Sequence, residues 1–243
     1  MTKQTSGRYF YIDVWRGIAI AMMIFFHFTY DLSYFQYLDI DFDQEPFWLN
    51  FRIVIVTLFL CLVGISLQLA TRHKLNHKRY FRRLGLLIGA AALVSAGNYL
   101  VMPDALIYFG VLHFIAVASV LGLLFRKLFW MNLVLGLLVI MFGIQFHEGL
   151  FDSPFWYWTG LMSGRPYSAD YVPLLPWFGV VLIGMFLAGV IVKYGILSIE
   201  THEGNRMMGM LAWGGQHSLL IYLLHQPLFF GGFYLVTYLM SLG

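Results

Sequence analysis

Cysteine is almost missing from this chain: Cys61 is the one thiol in 243 residues, so no intramolecular disulfide can form and no thiolate metal cluster is suggested. It lies in an apolar run, LFLCLVGI, where a buried structural thiol is the expected role. Charge is scarce as well. Asp, Glu, Lys and Arg make up 11% of the residues against 60% hydrophobic, a balance too apolar for an ordinary soluble domain. The formal net charge of +3 does not indicate a nucleic-acid partner, because the basic residues cluster between apolar runs where membrane topology explains them. No internal repeat, low-complexity tract or soluble domain is visible. The first apolar run has no small-residue cleavage site, since Asp13 and Arg16 open it and Thr29, Tyr30 and Asp31 close it. It is expected to remain as an anchor.

What the chain does have is a succession of apolar segments long enough for a bilayer. They are expected at about residues 14–34, 46–70, 84–101, 107–125, 129–146, 174–194 and 214–240. The fold class is therefore an all-α, polytopic transmembrane helical bundle of about seven spans, with 1–243 as a single integral-membrane domain. The loop lysines and arginines set its orientation. With the amino terminus in the cytoplasm, Lys3, Arg8, Arg16, Arg72, Lys74, Lys78, Arg79, Arg82, Arg83, Arg126, Lys127, Lys193 and Arg206 all fall inside, leaving Arg52 and Arg165 outside. The carboxyl terminus is then outside. Asp39, Asp41, Asp43 and Glu45 form an acidic loop, and Arg72–Arg83 a basic one. Gly85, Gly89, Ala92 and Ala96 make a small-residue face that reads as close helix packing.

The stretch RGIAIAMMIFFHFTYD, Arg16 to Asp31, departs most from a plain membrane anchor. At about 100° per residue, Asp13, Arg16, His27 and Asp31 fall within roughly 60° of one another. His27 lies about 16 Å beyond Arg16, close to mid-membrane. An ionisable group there persists where it faces protein or a water-filled cavity, and it marks a functional site by default. On the last span, Ser218, Tyr222 and His225 share one face, and Pro227 is expected to kink the helix beside them. His113, on the fourth span, belongs in the outer half. Histidines on three separate spans suggest one polar cavity. The connection from His147 to Pro173 is an outer loop holding Phe155, Trp156, Tyr157, Trp158, Tyr167 and Tyr171, which suits an interfacial belt or a sugar-stacking platform. His147 and Glu148 read as a solvated pair, and Pro176 suits the first turn of a helix.

RGIAIAMMIFFHFTYD, IYFGVLHFIA, the Pro-Trp-Phe-Gly opening at Pro176 and Trp177, and GQHSLLIYLLHQP together resemble the heparan-alpha-glucosaminide N-acetyltransferase catalytic-domain family, and more distantly the integral-membrane acyltransferase-3 proteins. The resemblance touches most of the chain. It implies an enzyme that takes an acyl group, typically acetyl, from cytoplasmic acyl-CoA and gives it to an amine or hydroxyl of a sugar or glycan across the membrane. Arg16, His27, His113, Ser218 and His225 carry over by motif, and residues 32–50 contain no histidine. Histidine suits the general base of such a reaction at neutral pH. His27 is the candidate base, Asp31 would orient its ring or grip a sugar amine, and Tyr222, His225 or His113 would stabilise the oxyanion. Arg16, Arg79, Arg82 and Arg83 are candidates for the phosphates of CoA, with Ser218, Tyr222 and Trp177 lining the cavity. No metal is expected, a homodimer is the assembly kept in view, and the bacterial inner membrane is the expected location. Direct transfer and passage through an acyl-histidine both fit these residues. Two other readings fit the same residues: a proton-coupled transporter or flippase using the His/Asp stripe, and a haem-binding cytochrome with histidine ligands.

Overall fold

The computed structural model describes residues 9–72, 75–195 and 206–242; Lys3, Arg8 and Lys74 lie outside these. Eight α-helices carry the described chain: α1 (Phe10–Tyr34), α2 (Pro46–Thr71), α3 (His77–Val101), α4 (Val111–Phe125), α5 (Phe129–Gln145), α6 (Leu174–Lys193), α7 (Arg206–Gln216) and α8 (Ser218–Ser241). Among the described residues no strand forms beyond an isolated bridge between Phe109 and Tyr171. The helices α1, α2, α3, α6 and α8 are long and apolar enough to cross a membrane, and α4 and α5 are shorter apolar helices. The fold divides into two compact units, Met1–Phe59 with Ile196–Gly243, and Leu60–Gly195.

In the first unit α1 is the organising helix. Asp13 in its first turn complements the helix dipole. Its end is a Schellman turn, with Tyr37 N–H donating to Leu32 O and Gln36 N–H to Ser33 O, while Gln36 takes the left-handed φ of 63° more usual for glycine. Close approach of two helix backbones needs small residues at the contact. Gly17 and Gly215 make that approach possible: a Cβ on Gly17 would overlap Leu211 O, and one on Gly215 would overlap Asp13 O. Higher numbers on α7 meet lower numbers on α1, so the two run antiparallel. By contrast, Gln226 meets His27 and Thr237 meets Tyr37, so α8 runs parallel to α1. Phe28 packs on Phe229 and Phe35 on Phe233 along this seam. Ile20, Met23 and Phe26 close a core with Phe42, Trp48 and Ile55.

The chain therefore reverses between α7 and α8, where the sequence suggests one span over 214–240. Gly214 and Gly215 weaken the helix there, His217 leaves helical geometry (φ −104°, ψ 18°), and its Nδ1 caps Trp213 O at 2.9 Å. The helix α8 then runs unbroken through Pro227.

In the second unit α5 and α6 pack antiparallel, with Gly136 against Gly179, Gly143 against Pro176 and Phe129 against Gly189. Leu175 is extended (φ −103°, ψ 134°) and the peptide to Pro176 is cis, so helical geometry starts at Pro176 as its ring favours. The inner half of α2 meets α6 through Gly64 on Val181 and Gly184 on Cys61. The C-terminal carbonyls of α4 are capped by side-chain amides: Gln68 donates to Arg126 O at 2.9 Å and Asn132 to Phe125 O at 3.1 Å.

Two expectations about α3 change. Asn76 caps it by accepting from Arg79 N at 3.0 Å, so 77–83 form the first two turns of the helix rather than a loop. The face of Gly85, Gly89, Ala92 and Ala96 is exposed, and a Cβ on Gly85 or Gly89 would meet nothing within 4 Å. The opposite face, with Leu87, Ala90 and Ala91, is the buried one. Between α5 and α6, residues 146–173 form an ordered cap with two short 3-10 turns, Gly149–Phe151 and Pro154–Thr159. Tyr171 donates its hydroxyl to Tyr157 O at 2.7 Å, and burial pushes its phenol up to about 12. Phe155 and Tyr167 remain 72% and 73% exposed, and His147 and Glu148 are exposed.

Candidate active site

The parallel run of α1 and α8 brings His27 and His225 together, their ring centroids 5.0 Å apart and their planes at 61°. Each ring is fixed by a different partner. His225 Nδ1 lies 2.6 Å from Tyr222 O. A carbonyl only accepts, so Nδ1 carries the proton and Nε2 of the neutral ring is a bare acceptor. That Nε2 is buried and has no hydrogen-bond partner among the described residues. His27 Nδ1 lies 3.2 Å from Gln226 Nε2. The amide nitrogen donates, which leaves the His27 proton on Nε2. Two imidazoles from two helices thus present complementary tautomers, one ready to accept a proton and one ready to donate a hydrogen bond. Phe26, Tyr222 and Phe229 pack around them with ring contacts of 5.6 to 6.1 Å.

Asp31, one turn beyond His27, is fully buried. Neither of its carboxylate oxygens makes a hydrogen bond among the described residues. It makes no bond to His27, contrary to the expected orienting role. The Gln226 amide faces it without closing standard hydrogen-bond geometry and holds the position beside His27 that the sequence suggests for Asp31. A buried polar group with unfilled bonding capacity is costly, and the first unit gathers several: both Asp31 oxygens, His225 Nε2 and Gln226 Oε1. All of these atoms can accept a hydrogen bond.

The remaining candidates fall elsewhere. Arg16 is part-buried at the start of α1, paired with Asp13 at 2.7 Å and reaching toward Gly215 O at 3.5 Å. Its guanidinium ties α1 to α7. Ser218 begins α8 and is half-buried, and Tyr222 packs against the apolar core as well as holding His225 through its carbonyl. Trp177 is half-buried in the first turn of α6. Arg79, Arg82 and Arg83 are exposed on the first turns of α3. His113 belongs to the second unit, where its Nδ1 accepts from Gly110 N and its Nε2 meets Ser95 Oγ, each at 3.3 Å. Both ring nitrogens are occupied. Nearby, Asp170 accepts from Val111 N at 2.9 Å and caps α4. Among the described residues no group of three or more His, Cys, Asp or Glu could hold a metal ion.

Gln226 is the one residue of the site that sequence reading passes over. The signal was present in the His-Gln-Pro run, but a lone glutamine carries no spacing rule of its own.

Residues 8–227 match the family described as heparan-alpha-glucosaminide N-acetyltransferase, catalytic. The chain belongs to that family. The match takes in α1 with His27 and Asp31 and ends at Pro227, just past His225 and Gln226. Comparison with curated proteins and with solved structures returns no match. The family is one of N-acetyltransferases, and the apolar helices make this an integral membrane protein.

Proposed function

We propose that this protein is a membrane-embedded acyltransferase that moves an acetyl group from cytoplasmic acetyl-CoA to an amine or hydroxyl of a sugar or glycan on the outer side of a bacterial inner membrane. The observation that carries the reading is the His27–His225 pair, in which a buried, partnerless His225 Nε2 stands beside a ring held as its complement.

The roles follow from the tautomers. His225 Nε2 takes the proton of the acceptor as its nitrogen or oxygen attacks the thioester carbonyl. The carbonyl oxygen becomes an oxyanion, and His27 Nε2–H donates to it. Collapse of the tetrahedral intermediate breaks the C–S bond. The CoA thiolate leaves with the proton that His225 had taken, and both rings return to their starting state. This reverses the expected assignment of His27 as base, because the Gln226 amide occupies the His27 nitrogen that could have accepted. Where the acceptor arrives as an ammonium ion, the Asp31 carboxylate takes its first proton and later releases it to water, and the free amine that results is the nucleophile from which His225 takes the second. The exposed guanidinium groups of Arg79, Arg82 and Arg83 suit the CoA phosphates. Arg16, already paired with Asp13, serves the helix contact instead.

Seven membrane spans with a cytoplasmic amino terminus complete the reading. The parallel course of α1 and α8 supports it, since the first and last spans of an odd-numbered bundle must run the same way. The test is transfer of radiolabelled acetyl from acetyl-CoA to an amino sugar by the protein in nanodiscs, with Asp31→Asn as a comparison. Turnover with a raised acceptor KM in the variant fits the reading, and an absence of acetyl-CoA binding by the folded wild-type protein rejects it.

A further inference from the structure

Gln226 sits between two groups whose states matter to any chemistry at this site. On one side its amide nitrogen is 3.2 Å from His27 Nδ1. On the other the same amide faces the buried Asp31 carboxylate. An amide NH2 carries two hydrogens, whereas an ionised carboxylate and a bare ring nitrogen are both acceptors. Turning the amide over would set its oxygen against the carboxylate, acceptor against acceptor, whereas with nitrogen inward the amide donates to the carboxylate side and leaves His27 Nδ1 as an acceptor. The orientation with nitrogen inward is therefore the one in which the three groups are compatible.

We infer that Gln226 is a positioning residue, an amide clamp that fixes His27 as the Nε2–H tautomer and so makes it a hydrogen-bond donor rather than a base. His225 has a backbone carbonyl to set its tautomer. The His27 ring meets the Gln226 side chain instead of a backbone carbonyl. Its state depends on a side chain from another helix. Two consequences follow. The clamp assigns complementary functions to rings that are chemically identical. It also makes the assignment depend on α8 lying in register with α1, since Gln226 reaches His27 only across that seam. Pro227 directly follows Gln226, and its fixed φ stiffens the backbone at that point.

The inference rests on the acyl-transfer reading for its purpose but not for its test. Protein labelled with 15N-histidine is reconstituted in nanodiscs, and the His27 resonances are identified by their loss in His27→Asn. The expected wild-type spectrum shows His27 with a protonated Nε2 and a bare Nδ1. In Gln226→Leu the lock is removed, and His27 should shift to a mixture of tautomers with a substantial Nδ1–H population. Wild-type His27 found as the Nδ1–H tautomer overturns the inference even if the variant does not fold. So does a His27 spectrum unchanged in folded Gln226→Leu. In acetyl transfer the same variant should lower kcat about 10- to 100-fold with acetyl-CoA binding retained. A tautomer shift in a protein that transfers no acetyl group would leave the clamp standing and remove the acyltransferase reading.

Discussion

Two histidines on apolar helices of this protein, His113 and His225, are equivalent in sequence terms and opposite in structure. His113 has both ring nitrogens occupied, by Gly110 N and Ser95 Oγ, beside a helix N-terminus that Asp170 caps. His225 has one nitrogen satisfied and the other buried without a partner, next to a carboxylate and an amide oxygen in the same condition. Burying a polar atom without a hydrogen bond costs about 1–3 kcal/mol. The chain carries that cost at several atoms around His225 and avoids it at His113. Hydrogen-bond accounting draws a distinction that residue type and depth do not.

The contrast breaks most sharply at His225. Replacing it with alanine should lower kcat for acetyl transfer by about 10³-fold, with the folded protein still binding acetyl-CoA, as single-turnover assays would show. His27→Ala should cost about 10²-fold, the usual loss for one oxyanion donor. Its pH–rate profile should keep the limb that reports the base, because His225 remains. A profile that loses that limb would return His27 to the role of base.

The scaffold under the pair gives the next effect. Gly215→Ala places a Cβ into the Asp13 carbonyl and should destabilise the α1–α7 contact by about 1–3 kcal/mol, measured by thermal unfolding in detergent. His113→Leu removes two hydrogen bonds of about 1 kcal/mol each and should leave kcat within about twofold of wild type; a large loss of turnover there would erase the distinction between the two histidines. The smallest effect belongs to Tyr171. Its phenol is raised to about 12, so its bond to Tyr157 O is fully present below the ordinary tyrosine range near 10 and is lost as pH rises through about 12. Tyrosinate absorbance of wild type minus Tyr171→Phe should therefore titrate well above the bulk tyrosines.

Much of this architecture was legible in the sequence for a simple reason: long apolar runs between charged turns have one stable arrangement in a bilayer. The helices α1, α2, α5 and α6 lie within a few residues of the expected spans, and His27 and His225 were identified from polarity at depth. What escaped depended on contacts between distant residues. The reversal at His217 was hidden because Gly214 and Gly215 blend into an apolar run, and the contact of Gly215 with Asp13 and Gly17 across the helix pair, which explains glycine at that position, is not visible locally. The small face of α3 looked like packing, but its partner is not among the described residues. The pairing of His27 with Gln226, 199 residues away, was not legible either, because no local pattern announces it.

The most direct test of the account is acetyl transfer measured side by side for wild type and His225→Ala in nanodiscs, with labelled acetyl-CoA and an amino-sugar acceptor. The account predicts turnover by wild type, none above background by the variant, and equal acetyl-CoA binding by both. Transfer by His225→Ala at the wild-type rate would contradict it.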